Sequence, residues 1–194
     1  MKIEIRCDHV LVEGYVNVTA RDSDPITAPV LLEGKPFVEQ IMPGAFGESL
    51  RQDRAVGLMV NHAETIGSTE TNLTLTEDRI GLYAVATVTC PEVRAKAKNN
   101  LLRGWSFGMK VIRSRLEERK KELPRRIVEA LELLEVSIVD ERARPAYSGT
   151  SIETRTLEQR VLPAKPCGKN CHENQDVCYK DFEEKINRLK GARQ

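Results

Sequence analysis

Residues 104–108 read Gly104-Trp105-Ser106-Phe107-Gly108, a G-x-S-x-G pentapeptide whose flanks decide how the chain folds around it. In its commonest setting this pattern is a sharp strand-to-helix elbow that lifts the serine above a parallel sheet. Here the order is reversed. Upstream lies Pro91-Glu92-Val93-Arg94-Ala95-Lys96-Ala97-Lys98-Asn99-Asn100-Leu101-Leu102-Arg103, a proline-started, Ala/Lys-rich run that predicts a short amphipathic helix ending at Gly104. Downstream, Phe107, Met109 and Val111 recur with a period of two, which predicts a strand over 107–115. Ser106 is therefore predicted where a helix feeds a strand. If it is a nucleophile, it belongs to a serine-hydrolase design other than the elbow.

Working outward, the first 150 residues read as strands with few helices, a mainly β domain with surrounding helices. Residues 2–6 and 14–19 alternate polar and apolar types. A turn-rich stretch at 21–25 leads into a loop punctuated by Pro29, Gly34 and Pro36. Residues 43–50 predict a turn opening a short helix, and 56–60 a compact apolar strand ending at Asn61-His62. Residues 73–76 and 81–89 flank Glu77-Asp78-Arg79 as a hairpin. The charge-dense run 113–126, with Pro124, reads as a solvated loop or hairpin tip. Residues 127–139 then alternate, with Ala130, Leu134, Val136 and Ile138 on one face. Glu129, Leu131, Leu133, Glu135, Ser137 and Val139 share the other.

The chain has 194 residues, enough for one domain with a real core plus a tail. Lys and Arg number 30 against 29 Asp and Glu, a net charge of +1, so no global field steers it to nucleic acid or an acidic membrane. With four Phe, four Tyr and one Trp, there is no stacking cluster for single-stranded nucleic acid either. No run approaches the roughly 18 apolar residues of a membrane span, and the first residues lack a signal-peptide core, so the chain reads as soluble and intracellular. Its five cysteines, an odd number with Cys7 and Cys90 isolated, argue against a secreted disulfide framework.

A serine hydroxyl needs a base within hydrogen-bond reach to attack at neutral pH. Three histidines are available. His9 lies in the N-terminal stretch and His172 in the cysteine-bearing tail. His62 closes an apolar strand and enters the loop Ala63-Glu64-Thr65-Ile66-Gly67, where a side chain is held firmly yet reaches a surface groove. A carboxylate that orients the base belongs on a rigid element. Glu135, flanked by Leu133, Leu134 and Val136, needs an explanation, because acidic groups are seldom buried unpaired. An edge position or a pairing with an arginine such as Arg113 is the alternative explanation. The chain order His62, Ser106, Glu135 differs from the orders of the familiar triads, which are recognised by geometry and not by order.

Five blocks in register carry a resemblance: Ile41-Met42-Pro43-Gly44-Ala45-Phe46; Val60-Asn61-His62 with Ile66-Gly67; Gly81-Leu82; Leu102-Arg103-Gly104-Trp105-Ser106-Phe107-Gly108; and Leu134-Glu135-Val136-Ser137-Ile138-Val139. Over roughly residues 10–150 the chain resembles the prohead, or capsid maturation, serine proteases of tailed phages, which are similar in fold to the herpesvirus assemblin proteases. The resemblance implies a closed, mostly antiparallel β-barrel with helices packed around it, occupying residues 1–155. It matches His62 to the family's base, Ser106 to its nucleophile and Glu135 to its third member, with no cofactor. It also implies a substrate, the scaffold-like part of the major capsid protein, cleaved inside the procapsid in the host bacterial cytoplasm. Self-association and self-cleavage are further implications, with no nucleic-acid or membrane partner. Oxyanion donors are sought among the backbone amides of residues 140–145, a segment that departs from the family's Pro-Ala-rich pattern, or alternatively of residues 104–108.

Residues 156–194 form a polar segment that reads as a flexible tail, removed by self-cleavage or used to recruit the enzyme into the shell. Its Cys167, Cys171, His172 and Cys178 are potential zinc ligands, but the spacing fits no common zinc module and the adjacency of Cys171 and His172 makes one tetrahedral site awkward. Two rival readings are an esterase of the α/β-hydrolase type and a non-catalytic capsid-assembly or scaffold protein on the same fold. The first needs a histidine after the acid, and His172 alone qualifies.

Overall fold

The computed structural model describes residues 1–27, 34–142 and 146–147, all within the first of two units, Met1–Leu162 and Pro163–Gln194. The predicted boundary at residue 155, the tail 156–194 and its cysteine and histidine cluster lie outside the described residues. In chain order the elements are β1 (Lys2–Ile5), β2 (Val10–Val18), β3 (Val38–Ile41), α1 (Ala45–Leu50), β4 (Gly57–Val60), β5 (Glu64–Ser68), β6 (Leu73–Glu77), β7 (Gly81–Val88), α2 (Pro91–Lys98), β8 (Leu102–Glu117) and β9 (Arg125–Asp140). Neither helix is long and apolar enough to cross a membrane.

Alternation of apolar and polar side chains builds the first sheet. Val10 and Val12 on β2, and Leu82, Ala84, Ala86 and Val88 on β7, all point into the core. The four strands run β1-β2-β7-β6, antiparallel throughout, and β6 and β7 form the expected hairpin. The second sheet is organised by β9. Along one edge β9 pairs antiparallel with the whole of β8. Along the other it holds two short parallel strands end to end, β3 at residues 125–128 and β4 at 135–138. β5 then pairs antiparallel with β4. Leu58, Val60, Trp105, Val136 and Ile138 from this sheet share one core with the first.

This architecture corrects the expected closed antiparallel barrel. The chain is β-rich with two short helices, but its strands form two separate sheets, and two of the ladders on β9 are parallel. Closure requires each strand to be paired on both sides. Among the described residues β1, β5, β6 and β8 each carry a ladder on one side only.

Three element boundaries also differ from the sequence reading. The predicted 91–103 helix ends at Lys98, because Asn100 adopts a left-handed φ of 56°. The Leu101 amide then donates to the Lys96 carbonyl at 2.9 Å and the Asn100 amide to the Ala97 carbonyl at 3.2 Å, a Schellman termination. β8 consequently begins at Leu102, and Ser106 lies inside a strand instead of at a helix–strand junction. The charge-dense run 113–126 is strand for half of its length, since Arg113 and Arg115 pair with Glu129 across the ladder at 3.0 and 3.2 Å. The predicted loop after His62 is β5.

The face assignment along β9 fails for Leu131, Leu133 and Leu134. Gly108 pairs with Glu135 and Met109 with Leu133, so Leu134 is an extra residue, a β-bulge. Leu134 turns outward and is 50 % exposed, while Leu131 and Leu133 on one side and Val136 and Ile138 on the other all reach the core. The bulge shifts the alternation by one residue and leaves Glu135 and Ser137 together on the face away from that core.

Candidate active site

Three strands meet where the site forms. On β8, Trp105 is buried and Phe107 packs against the core, so the strand's period of two turns Ser106 and Gly108 to the opposite face. In the β8–β9 register Ser106 faces Ser137 and Gly108 faces Glu135. From the other side of β9, Gly57 of β4 lies opposite Glu135 and Met59 opposite Ser137.

His62 arrives from the end of β4 through a tight turn. Asn61 and His62 have φ of 49° and 59°, and the Ala63 amide closes the turn on the Val60 carbonyl at 3.0 Å. Two successive left-handed residues are the signature of a type I′ turn. Asn and His accept that conformation more readily than most residues, but it still costs any non-glycine residue and must be held by its surroundings. Three hydrogen bonds to β9 hold it. The Asn61 amide donates to the Ile138 carbonyl at 3.0 Å, the Asp140 amide to Asn61 Oδ1 at 3.1 Å, and the His62 amide to Ser137 Oγ at 3.0 Å.

This turn carries the imidazole between the alcohol and the acid. His62 Nδ1 lies 2.7 Å from Glu135 Oε1, and His62 Nε2 lies 3.0 Å from Ser106 Oγ. An ionised carboxylate only accepts, so Nδ1–H donates to Glu135 and the lone pair on Nε2 accepts from the serine hydroxyl. The Glu135 side chain is 13 % exposed and the imidazole 43 %. Glu135 does not use Arg113, which is engaged by Glu129. His9 contacts Asp8 at 2.7 Å, and His172 lies outside the described residues. Among the described residues no three His, Cys, Asp or Glu side chains gather as metal ligands.

The hydrogen bond from Nδ1 to Glu135 raises the His62 pKa above its ordinary 6.5, with burial opposing the shift. A general base acts only in its neutral form. A reaction that uses His62 as its base is therefore expected to rise in rate with pH through an apparent pKa above 6.5. In Glu135→Gln that limb should move to lower pH, while the plateau falls by about 10⁴-fold as imidazole orientation is lost. A pH profile of kcat/KM for both proteins checks the sign.

Behind the turn lies an ion network that sequence reasoning missed. Asp140 is fully buried at the end of β9 and is paired with Lys96 of α2 and, at 2.8 Å, with Arg142. Burial pushes the Asp140 carboxyl up, but the Arg142 and Lys96 hydrogen bonds outweigh it and hold the group well below the usual carboxylate range. Removing Asp140 takes one of two carboxylate partners from the largely buried Lys96, which keeps Glu92 at 2.7 Å, so Asp140→Ala is expected to cost about 1–3 kcal/mol, read as lower thermal and denaturant midpoints. Because the folded pKa is depressed, the stabilisation is present above the ordinary value near 3.8 and is lost as pH falls toward the folded one. An acid-titration midpoint identical in the variant and the parent would refute this assignment.

The same network bears on the oxyanion donors. Of the amides sought at 140–145, Asp140 already donates to Asn61 Oδ1 and Arg142 to Asp140 Oδ1 at 2.9 Å, and residues 143–145 lie outside the described residues. An open cleft of about 450 Å³ adjoins the turn, lined by Val60, Asn61, Ala63, Glu64, Glu92 and Arg142. Ser137 and Asn61 are absent from the sequence-derived site, which includes Gly108 only as an alternative oxyanion donor. The spacing Glu135-x-Ser137, which puts both side chains on one strand face, was the available signal for the first.

The arrangement has the parts of a nucleophilic hydrolase: an alcohol, a base and an orienting acid in hydrogen-bonded line. It is not an elbow, because Ser106 lies within an antiparallel ladder. A family model described as Caudovirus prohead serine protease matches residues 2–162. No curated protein and no solved structure matches the chain.

Proposed function

This chain belongs to the caudovirus prohead serine protease family, and on that premise we propose that Ser106 is its nucleophile, His62 its general base and Glu135 the acid that orients the base. Family membership makes the protein a serine peptidase of capsid maturation, acting on capsid protein within the procapsid in the host. The finer substrate proposed is the scaffold-like part of the major capsid protein, followed by the protease itself.

The observation that supports the residue assignment is the pair of contacts on either side of one imidazole, 2.7 Å to Glu135 and 3.0 Å to Ser106. In the proposed reaction Ser106 Oγ attacks the scissile carbonyl carbon as its proton passes to His62 Nε2. The tetrahedral adduct collapses, the C–N bond breaks, and His62 returns the proton to the leaving amine. Water, deprotonated by the same nitrogen, then attacks the acyl-enzyme ester and regenerates the serine hydroxyl. Throughout, Glu135 stays ionised, fixes the proton on Nδ1 and stabilises the imidazolium that forms transiently.

Co-expression with the major capsid protein, followed by mass spectrometry of the products, tests the whole reading. Discrete capsid-protein fragments with the active protein, and none with a Ser106 variant, support it. Intact capsid protein in both would overturn it in favour of a non-catalytic assembly role. Self-association as a condition of activity is part of the proposal and is read from the concentration dependence of the rate.

A further inference from the structure

We propose that Ser137 is a positioning residue for catalysis, a fourth group that locks the base and its acid to each other; the inference rests on the assignment of His62 and Glu135 above. Ser137 is fully buried on β9, directly across the ladder from Ser106. Its hydroxyl donates to Glu135 Oε2 at 2.8 Å and accepts from the His62 backbone amide at 3.0 Å.

The polarity of this chain is forced. The His62 amide can only donate, so it occupies a lone pair of Ser137 Oγ, and an ionised Glu135 can only accept, so it takes the single hydroxyl proton. The two carboxylate oxygens are thereby divided, with Oε1 on the imidazole and Oε2 on Ser137. Without Ser137 a largely buried carboxylate oxygen loses that donor, and the strained His62 turn loses one of its three ties to β9. The carboxylate is then free to rotate off Nδ1, and the imidazole is free to shift relative to Ser106. The same bonding distinguishes the two facing serines. Ser106 presents its hydroxyl to the imidazole, whereas the proton of Ser137 is committed to Glu135.

Ser137→Ala and the nearly isosteric Ser137→Cys are the variants, read by kcat/KM on a mapped cleavage peptide and by the rate of fluorophosphonate labelling. Both are expected to lose about 10–100-fold, mainly in kcat, the usual effect of removing a group that orients a catalytic partner. If Ser137→Ala does not fold, the cysteine variant carries the test. In a Glu135→Gln background the further loss should be smaller, because the part of Ser137's action that runs through the carboxylate is already gone and only its tie to the His62 amide remains. The low-field proton resonance of His62 Nδ1–H should also broaden or shift in Ser137→Ala.

Activity within about twofold of the parent in both single variants, or the same proportional loss with and without Glu135, would overturn the proposal. Ser106→Ala run in parallel keeps the two hypotheses apart. If that variant still cleaves and labels, the triad assignment has failed; if it is silent while the Ser137 variants are fully active, only the positioning role has failed.

Discussion

On the proposed assignment, Ser106→Ala is expected to abolish cleavage of capsid protein and labelling by a fluorophosphonate, a loss of about 10⁵-fold or more in kcat, because the variant lacks the attacking oxygen. Ser106 is half-buried within β8 and gives up one hydrogen bond, to the imidazole. Its backbone place in the ladder opposite Ser137 does not depend on the hydroxyl. The melting temperature should therefore stay within a few degrees of the parent, in keeping with a net hydrogen-bond contribution of about 1 kcal/mol. Cleavage and thermal unfolding measured on the same preparation separate lost chemistry from lost fold. Cleavage persisting in the purified variant would remove Ser106 from the mechanism.

Gly108→Ala should also be strongly damaging, although residue 108 bears no reacting group. A Cβ at this position would lie 2.5 Å from Glu135 Oε1 and 3.2 Å from both Glu135 Cδ and Cγ. Oε1 is the oxygen that holds His62 Nδ1. A methyl group there evicts the carboxylate from its seat. The clash is with the end of a flexible side chain, so the fold should yield cheaply, by about 1 kcal/mol or less. Orientation of the imidazole should not survive. A displacement on the order of 1 Å in a catalytic group lowers kcat by about 10²-fold, and complete loss of the acid approaches 10⁴-fold.

Gly57, on the opposite flank of the same glutamate, supplies the control. Its Cβ would meet Glu135 Cβ at 3.5 Å, ordinary van der Waals contact, so Gly57→Ala should retain most activity. A Gly108→Ala enzyme as active as the Gly57→Ala enzyme would show that the carboxylate re-seats without leaving the base. In the Glu135→Gln background, Gly108→Ala should add little, because the charge it displaces is already gone.

The glutamate illustrates how far the sequence could be read. An acidic residue among leucines and valines demanded a partner, and the requirement held in physical terms. The structure supplies two partners, His62 and Ser137, in place of Arg113 or an exposed edge. The period of two also placed Glu135 and Ser137 on one face of β9, as found. It failed for Leu131, Leu133 and Leu134, because a single inserted residue at the bulge reverses the phase and a bulge has no distinctive composition.

The helix before Ser106 shows a similar limit. Pro91 marked its start correctly, but Asn100 ended it before the expected Gly104 could, since asparagine also accepts a left-handed φ. Likewise, the charged half of β8 and β9 looked like a solvated loop. Its charges are matched across the ladder between Arg113, Arg115 and Glu129, an interaction invisible until the register is known.

By itself the sequence determined a β-rich chain, the strand periods, and three chemically apt residues at 62, 106 and 135, because side-chain type and local alternation are written residue by residue. Only the tertiary structure decided that β9 would take two parallel neighbours on one edge and leave the sheets open. It also decided that a strained Asn61-His62 turn would lay the imidazole between β8 and β9, and that Ser137 and Gly108 would shape its seat. Strand pairing sets those distances, and pairing is a choice among alternative partners that no single strand encodes.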